Sequence, residues 1–352
     1  MIPRFILLTI FSAFLFLITF IPMARLFSYF SLAHAWISSL IAVLIFPVGY
    51  LVANLFENKF TYYLVQFTNA WFAVILAVVS TTIIVELVVW LGKLQSPFTG
   101  WIIIGISALL IITSVVFGLV WHTKEIVIES DKVQEEVRFV QLSDVHAYGV
   151  RAPITIKKVF DRALALNPDF IVVTGDLVDV PGKPPADTFK VLDDVKIPLY
   201  YELGNHESYV GLEYVRELTK GTKLQLLENK AVSYKGISVV SVSDSTEKGY
   251  VGEVLPSIKR NESQFQVLLY HKPVDYLDAQ KEGIDLMLSG HTHAGQFFPI
   301  PLLVRMMYKY PWGTHDVNGM TLHTSSGSGT TIWPLKIGGI EEITLIRLVP
   351  KK

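Results

Sequence analysis

FIVVTGDLVD, residues 170–179, decides how this chain is read. Its first residues are short, apolar and β-branched, and Gly175 closes them, so they read as a buried strand with Asp176 on the turn just beyond. The same arrangement recurs four more times. RFVQL leads into Asp144 and His146, PLYYELG into Asn205 and His206, FQVLLY into His271, and IDLMLSG into His291 and His293. Carboxylate and amide oxygens mixed with imidazole nitrogens, and no thiolate, describe a site for divalent ions such as Mn, Fe or Zn. Asp144, His146, Asp176, Asn205, His271, His291 and His293 are too many ligands for one ion that keeps an open position. They suit two ions sharing a bridging carboxylate, the arrangement of a binuclear metal hydrolase.

The five motifs SDVH, GDLVD, GNHE, YHKP and GHTHAG, in this order, resemble the calcineurin-like metallophosphoesterase family over residues 138–350. The match is D-x-H at Asp144 and His146, G-D-x-x-D from Gly175 to Asp179, G-N-H-E from Gly204 to Glu207, a lone His271, and G-H-x-H from Gly290 to His293. Each piece alone is weak; the joint order and spacing carry the resemblance. It implies a four-layer α/β/β/α sandwich and a metal-dependent phosphoesterase. It also implies that Asp144, His146, Asp176 and His293 hold one ion, and that Asp176, Asn205, His271 and His291 hold the other. Asp176 would be the bridge. His206 would serve the leaving oxygen without binding the main pair. Asp179 and Glu207 are expected to accept hydrogen bonds from the imidazoles. The whole pattern is similar to the YkuE-type branch, joined here to an N-terminal multi-span membrane region.

Composition divides the chain. Only Arg4, Arg25, Glu57, Lys59, Glu86 and Lys93 are charged before His122, although the whole chain has 30 Lys and Arg and 31 Asp and Glu. Four apolar stretches occupy this part: residues 5–23, 36–55, 72–91 and 101–121. Each approaches the roughly 20 residues that a helix needs to cross a bilayer. Trp36, Trp71, Trp90, Trp101 and Trp121 mark their ends, where amphipathic rings favour the membrane interface. The expected organisation is a transmembrane region at 1–121, a juxtamembrane linker at 122–137 and the phosphoesterase domain at 138–352. Arg4, Lys59 and Lys124 on the domain side outnumber Arg25 and Lys93 on the other, which favours a multi-pass cell-membrane protein with a cytoplasmic hydrolase domain. With no cysteine, disulfides are excluded. Glu86 inside a span reads as functional or as helix-paired, and Pro47 is expected to kink the second span.

Helices are expected at Pro153–Leu166, Asp187–Val195 and Gly211–Gly221, with strands at LQLLEN, AVSYKG, ISVVSVS, MTLHTSS and EITLIRL and a tight turn at Lys235-Gly236. The remaining histidines, His34, His122, His315 and His323, read as structural. Ser325–Thr331 (SSGSGTT) reads either as backbone N–H groups set against a phosphate or as a plain loop. Pro334 and Lys336 stand where family members commonly carry a Pro and an Arg. Residues 297–312 (FFPIPLLVRMMYKYPW) mix large apolar side chains with Arg305 and Lys309, and read either as an interfacial segment or as a loop over the sheet edge. Together these features point to a membrane-anchored phosphohydrolase acting on a phosphoester or pyrophosphate of an amphiphilic or lipid-linked substrate. The alternative is a tethered phosphodiesterase or phosphatase for soluble nucleotides or phosphoproteins. A formal charge of −1 and no Lys/Arg stripe argue against nucleic acid, and no protein partner is expected.

Overall fold

Among the described residues four helices precede the first strand: α1 (Arg4–Ser28), α2 (Ala35–Leu55), α3 (Lys59–Gly92) and α4 (Thr99–Leu119). The computed structural model describes residues 4–30, 34–56, 59–93, 96–180, 182–296, 300–329 and 341–351. Pro334, Lys336 and the stretch 297–299 lie outside them. Among the described residues, α2, α3 and α4 are long and apolar enough to cross a membrane, and α1 contributes a shorter apolar stretch, Phe16–Ser28. α2 continues through Pro47. It is pinned to α3 where Trp71 Nε1 donates to the Ala42 carbonyl at 2.7 Å. Glu86 is helix-paired: Arg25 Nε lies 2.9 Å from its Oε1, and the Tyr29 hydroxyl donates to the same oxygen at 2.5 Å. α3 begins thirteen residues before the apolar stretch expected at 72–91, a difference that bears on the site below.

Two six-stranded sheets follow. The first runs β1 (Trp121–Ser130), β12 (Glu341–Pro350), β2 (Val137–Leu142), β3 (Phe170–Thr174), β4 (Leu199–Glu202), β5 (Leu224–Leu226). The second runs β10 (Gly313–Val317), β11 (Met320–Thr324), β9 (Leu286–Ser289), β8 (Phe265–Leu269), β7 (Ile237–Ser241), β6 (Lys230–Tyr234). β2 to β5 are parallel, as are β7, β8, β9 and β11. β1 pairs in parallel with the C-terminal β12 along its length, so the stretch read as a linker supplies an edge strand. The sheets face each other across an apolar layer that includes Phe139, Phe170, Val172, Val239, Phe265 and Val267. Phe139 and Phe170 stack there with centroids 4.6 Å apart.

Helices cover the outer faces. α5 (Ala152–Leu164) carries Pro153 in its first turn, where its missing N–H costs nothing. It buries Ile156, Val159, Phe160 and Ala163 against the first sheet together with α7 (Leu212–Thr219). The helix expected at Asp187–Val195 is a 3-10 turn, Thr188–Leu192. On the second sheet, α8 (Tyr250–Val254) and α9 (Tyr276–Lys281) pack over Val240, Leu268 and Met287. β6 and β7 are joined by Lys235 and Gly236, both at positive φ, the backbone that a two-residue hairpin turn requires. The result is an α/β/β/α arrangement in which β2, β3, β4, β8 and β9 end at one common edge. Short α6 (Asn205–Val210) opens at that edge, and α10 (Ile300–Met307) approaches it where Pro301 packs against Gly295.

Candidate metal centre

Every sequence-predicted ligand falls on a strand end at this edge. Asp144 and His146 follow β2, Asp176 follows β3, and Asn205 opens α6 just past β4; His271 follows β8, and His291 and His293 follow β9. Open α/β sheets place their sites outside the carboxyl ends of the strands. Asp144, His146, Asp176, His291 and His293 all take positive φ, between 49° and 72°. Asp and His tolerate that left-handed backbone better than most residues, yet it still stores strain and is commonest at functional sites.

Glycines let these loops crowd together. A Cβ at Gly204 would strike the Asp176 carboxylate, and one at Gly290 would strike Ser143 Oγ and the Asp144 carboxylate. Neither position accepts a side chain while both carboxylates keep their place.

The side chains converge in two groups. Asp144, His146 and His293 bring their ligand atoms within 4.8 Å of one another, and so do Asp176, His271 and His291. Asp176 Oδ2 faces both groups, 3.0 Å from His271 Nε2 and 3.9 Å from His146 Nε2. His293 Nε2 lies 3.4 Å from Asp144 Oδ1 and 2.8 Å from His146 Nε2. Asn205 enters from α6 with its amide nitrogen 3.5 Å from the Tyr209 hydroxyl and its buried Oδ1 without a hydrogen-bond partner among the described residues.

Hydrogen bonds at the far ring nitrogens set which imidazole nitrogen faces inward. Asp179 accepts from His146 Nδ1 at 2.9 Å and from His206 Nδ1 at 2.6 Å. Its carboxyl is held below the usual range: burial opposes this, and the two imidazole hydrogen bonds outweigh burial. His271 Nδ1 donates to the Thr174 carbonyl at 2.8 Å. In His146 and His271 Nε2 is therefore the nitrogen turned into the site, the outer arrangement of a metal-ligating histidine. The 2.8 Å approach of the His146 and His293 Nε2 atoms sets two potential ligand nitrogens face to face, which a shared cation accommodates. The donor set thus fits two hard or borderline divalent ions.

Charge tells the same story. Burial would raise the Asp176 carboxyl and lower the His146 imidazole. The charge of His271 reverses the first, holding Asp176 below its ordinary range. Asp179, Asp176 and Asp144 reverse the second, lifting His146 to about 9. The carboxylates of Asp144, Asp176 and Asp179 thus favour positive charge on the imidazole beside them.

Glu207 departs from expectation. Among the described residues its hydrogen bonds are not to imidazoles; it accepts from the backbone N–H groups of Asp176, Leu177, Val178 and Gly204 and from the Tyr201 hydroxyl. Its task is to hold the Asp176 loop. The Ser325–Thr331 segment also turns its N–H groups inward where described: Ser325 donates to Ser289, Gly327 to Ser325 Oγ and Ser328 to Ser143. They brace the Asp144 loop.

His323, read as structural, is a buried link between the sheets. Its Nδ1 lies 3.1 Å from Thr314 Oγ1, and its Nε2 lies 3.2 Å from Glu342 Oε1 and 3.1 Å from Thr344 Oγ1 across the sandwich.

One contribution had only a faint sequence signal. Gln66 of α3 donates to the Tyr148 hydroxyl at 2.6 Å and to the Tyr62 hydroxyl at 3.2 Å. Tyr148 stands two residues after His146, so the membrane region touches the metal loop directly. Polar Gln66 and Asn69, just ahead of a long apolar run, were the available hint.

Residues 137–295 match the family model described as calcineurin-like phosphoesterase. A metallophosphoesterase of Helicobacter pylori is 31% identical over 236 residues, which cover 65% of this chain and 64% of that protein. YkuE of Bacillus subtilis, also named a metallophosphoesterase, is 26% identical over 60% of this chain and 78% of its own length. A Danio rerio protein named a transmembrane protein with metallophosphoesterase domain is 29% identical over 68% of this chain and 61% of its own. The chain thus spans just under two thirds of the Helicobacter relative it matches.

Proposed function

On the footing that residues 137–295 carry a calcineurin-like metallophosphoesterase domain, we propose that this chain is a membrane-anchored two-metal phosphohydrolase. It cleaves a phosphoester or pyrophosphate bond in an amphiphilic substrate. The observation that carries the reading is the placement of Asp176 Oδ2 between His271 Nε2 at 3.0 Å and His146 Nε2 at 3.9 Å, one oxygen serving both ligand groups. Asp144, His146, Asp176 and His293 would hold one divalent ion, and Asp176, Asn205, His271 and His291 would hold the other. Bound there, Mn, Fe or Zn ions supply Lewis acidity and a nucleophilic water at neutral pH.

The chain's own residues do the rest. Asp144 and Asp176 are the only carboxylates among these ligands, and Asn205 is neutral. Two divalent cations therefore leave the centre positive, ready for an anionic ester. Asp179 holds His206 by Nδ1 and so aims Nε2 inward, 3.9 Å from Asp176 Oδ2. With its side chain 24% exposed, His206 is reached by substrate while staying fixed, as a group delivering a proton to a leaving oxygen must be.

Two observations support the amphiphilic substrate. The Gln66–Tyr148 hydrogen bond seats the metal loop against α3, and the Danio rerio relative is named as a transmembrane protein. The excess of Arg4, Lys59 and Lys124 over Arg25 and Lys93 supports a cytoplasmic domain.

The test is Mn-dependent hydrolysis of a bis-aryl phosphodiester by detergent-purified full chain beside Asp176→Asn. Turnover by the native chain and none by the variant is expected; equal rates in both overturn the assignment. A long-chain lipid phosphoester in vesicles should then outpace a soluble nucleotide diester. The reverse order favours the tethered phosphodiesterase.

A further inference from the structure

α10 (Ile300–Met307) has no buried residue. Leu302, Leu303, Met306 and Met307 are 52%, 55%, 84% and 73% exposed, and their i, i+1, i+4, i+5 spacing puts them on one helical face. A single exposed leucine needs no explanation, but four large apolar side chains side by side do.

The first residue of the helix shows what surface this face continues. Ile300 packs on Ala73 of α3, in a cluster that also takes in Ala70 of α3 and Ile111 and Val115 of α4, all four within helices long and apolar enough to cross a membrane. α10 therefore begins against the two helices and runs on with its apolar side uncovered among the described residues. Its cations sit beside aromatic rings: the Arg305 guanidinium lies 4.7 Å from the Trp312 ring centroid, and Lys309 Nζ lies 5.1 Å from that of Tyr310. Apolar side chains flanked by cations and aromatic rings are the composition of a helix lying in the headgroup boundary.

We infer that α10 is an in-plane membrane helix whose Leu302, Leu303, Met306 and Met307 face lies in the leaflet that meets α3 and α4. Arg305 and Lys309 stand at the level of the lipid phosphates. Both ends of the helix touch the metal loop. Gly295, two residues after His293, packs so closely on Pro301 that a Cβ there would strike its backbone, and the Tyr308 ring lies 5.8 Å from that of His291. Lipid contact thereby fixes the height of the His291–His293 loop over the leaflet. The consequence for substrate, that a phosphate at headgroup depth is presented to the metals, rests on the hydrolase reading. The lipid contact itself does not.

The chain has no cysteine, so Met306→Cys carries a single bimane label. The full-length protein is reconstituted in phosphatidylcholine vesicles containing lipids with a doxyl quencher near the acyl carbonyl. Glu262→Cys is the control, because Glu262 precedes β8 at the opposite edge of the sheets. Quenching several-fold stronger at Met306→Cys than at Glu262→Cys is expected, and Leu303→Cys reports the same face should the first variant misfold. Equal quenching at the face and the control overturns the inference. So does quenching at the face that disappears when labelled protein is diluted with unlabelled, since a second copy would then cover it. None of these readings depends on hydrolysis, so a protein inactive on every ester still answers the question.

Discussion

Asp179 shows how much of the site's chemistry lies one bond behind the ligands. A single carboxylate accepts from His146 and from His206, orienting an expected ligand and an expected proton donor together. His206→Ala is predicted to keep both metals and lose about 10²–10⁴-fold in rate, the usual contribution of a general acid. Full rate in the variant, with metals bound, removes His206 from the mechanism. Glu207 works on the backbone instead. Glu207→Ala strands several buried N–H groups, each costing about 1–3 kcal/mol when unpaired, so a loss of at least about 3 kcal/mol is expected in denaturant titration. A change within about 0.5 kcal/mol would show that water replaces the carboxylate. The candidate ligands could be located in the chain because each lies shortly after the end of a strand. Glu207 was misread because three of its five partners are backbone N–H groups of a loop some thirty residues away, which no local pattern reveals.

Among the elements, the strands with continuous apolar runs were read correctly because burial on both faces imposes that composition. α3 was only half visible. Its polar first turns, from Lys59 to Asn69, do not look like a span. They are helical because Tyr62 and Gln66 find partners in the domain, which is a tertiary effect. At about 1.5 Å per residue, a 34-residue helix exceeds the hydrocarbon core by some 20 Å. The excess is what reaches Tyr148. The link between β11 and β12 carries a pH signature. Burial pushes the Glu342 carboxyl up, and the His323 hydrogen bond outweighs it, leaving the carboxyl below its ordinary value of 4.5. A carboxyl depressed in the folded state adds stability above its unfolded value, and that stability is lost as pH falls through the folded one. Thermal unfolding of the native chain should therefore weaken on acidification below about 4.5 more steeply than that of Glu342→Gln. Parallel acid limbs would rule Glu342 out as a contributor.

For the molecule as a whole, the two sheets bring residues from Asp144 to His293 to one edge, and that edge is the one on which α3 and α10 close. The sandwich was apparent in the order of five motifs, and the structure brings the candidate ligands they named to one edge. The pairing of β1 with β12, from distant parts of the chain, was not, because edge-strand partners are chosen by the completed sheet. Nor was the orientation of the site towards the membrane helices, which depends on contacts such as Gln66 with Tyr148 and Ile300 with Ala73. Function follows from that placement: a candidate metal centre held beside helices suited to a bilayer.

The two-metal reading stands or falls on elemental analysis of the detergent-purified full chain after loading with Mn and removal of free ion. Two ions per chain are expected, with both lost in Asp176→Asn because one carboxylate serves both. One ion per chain in the native protein, or two retained in Asp176→Asn, would contradict a shared bridge at Asp176.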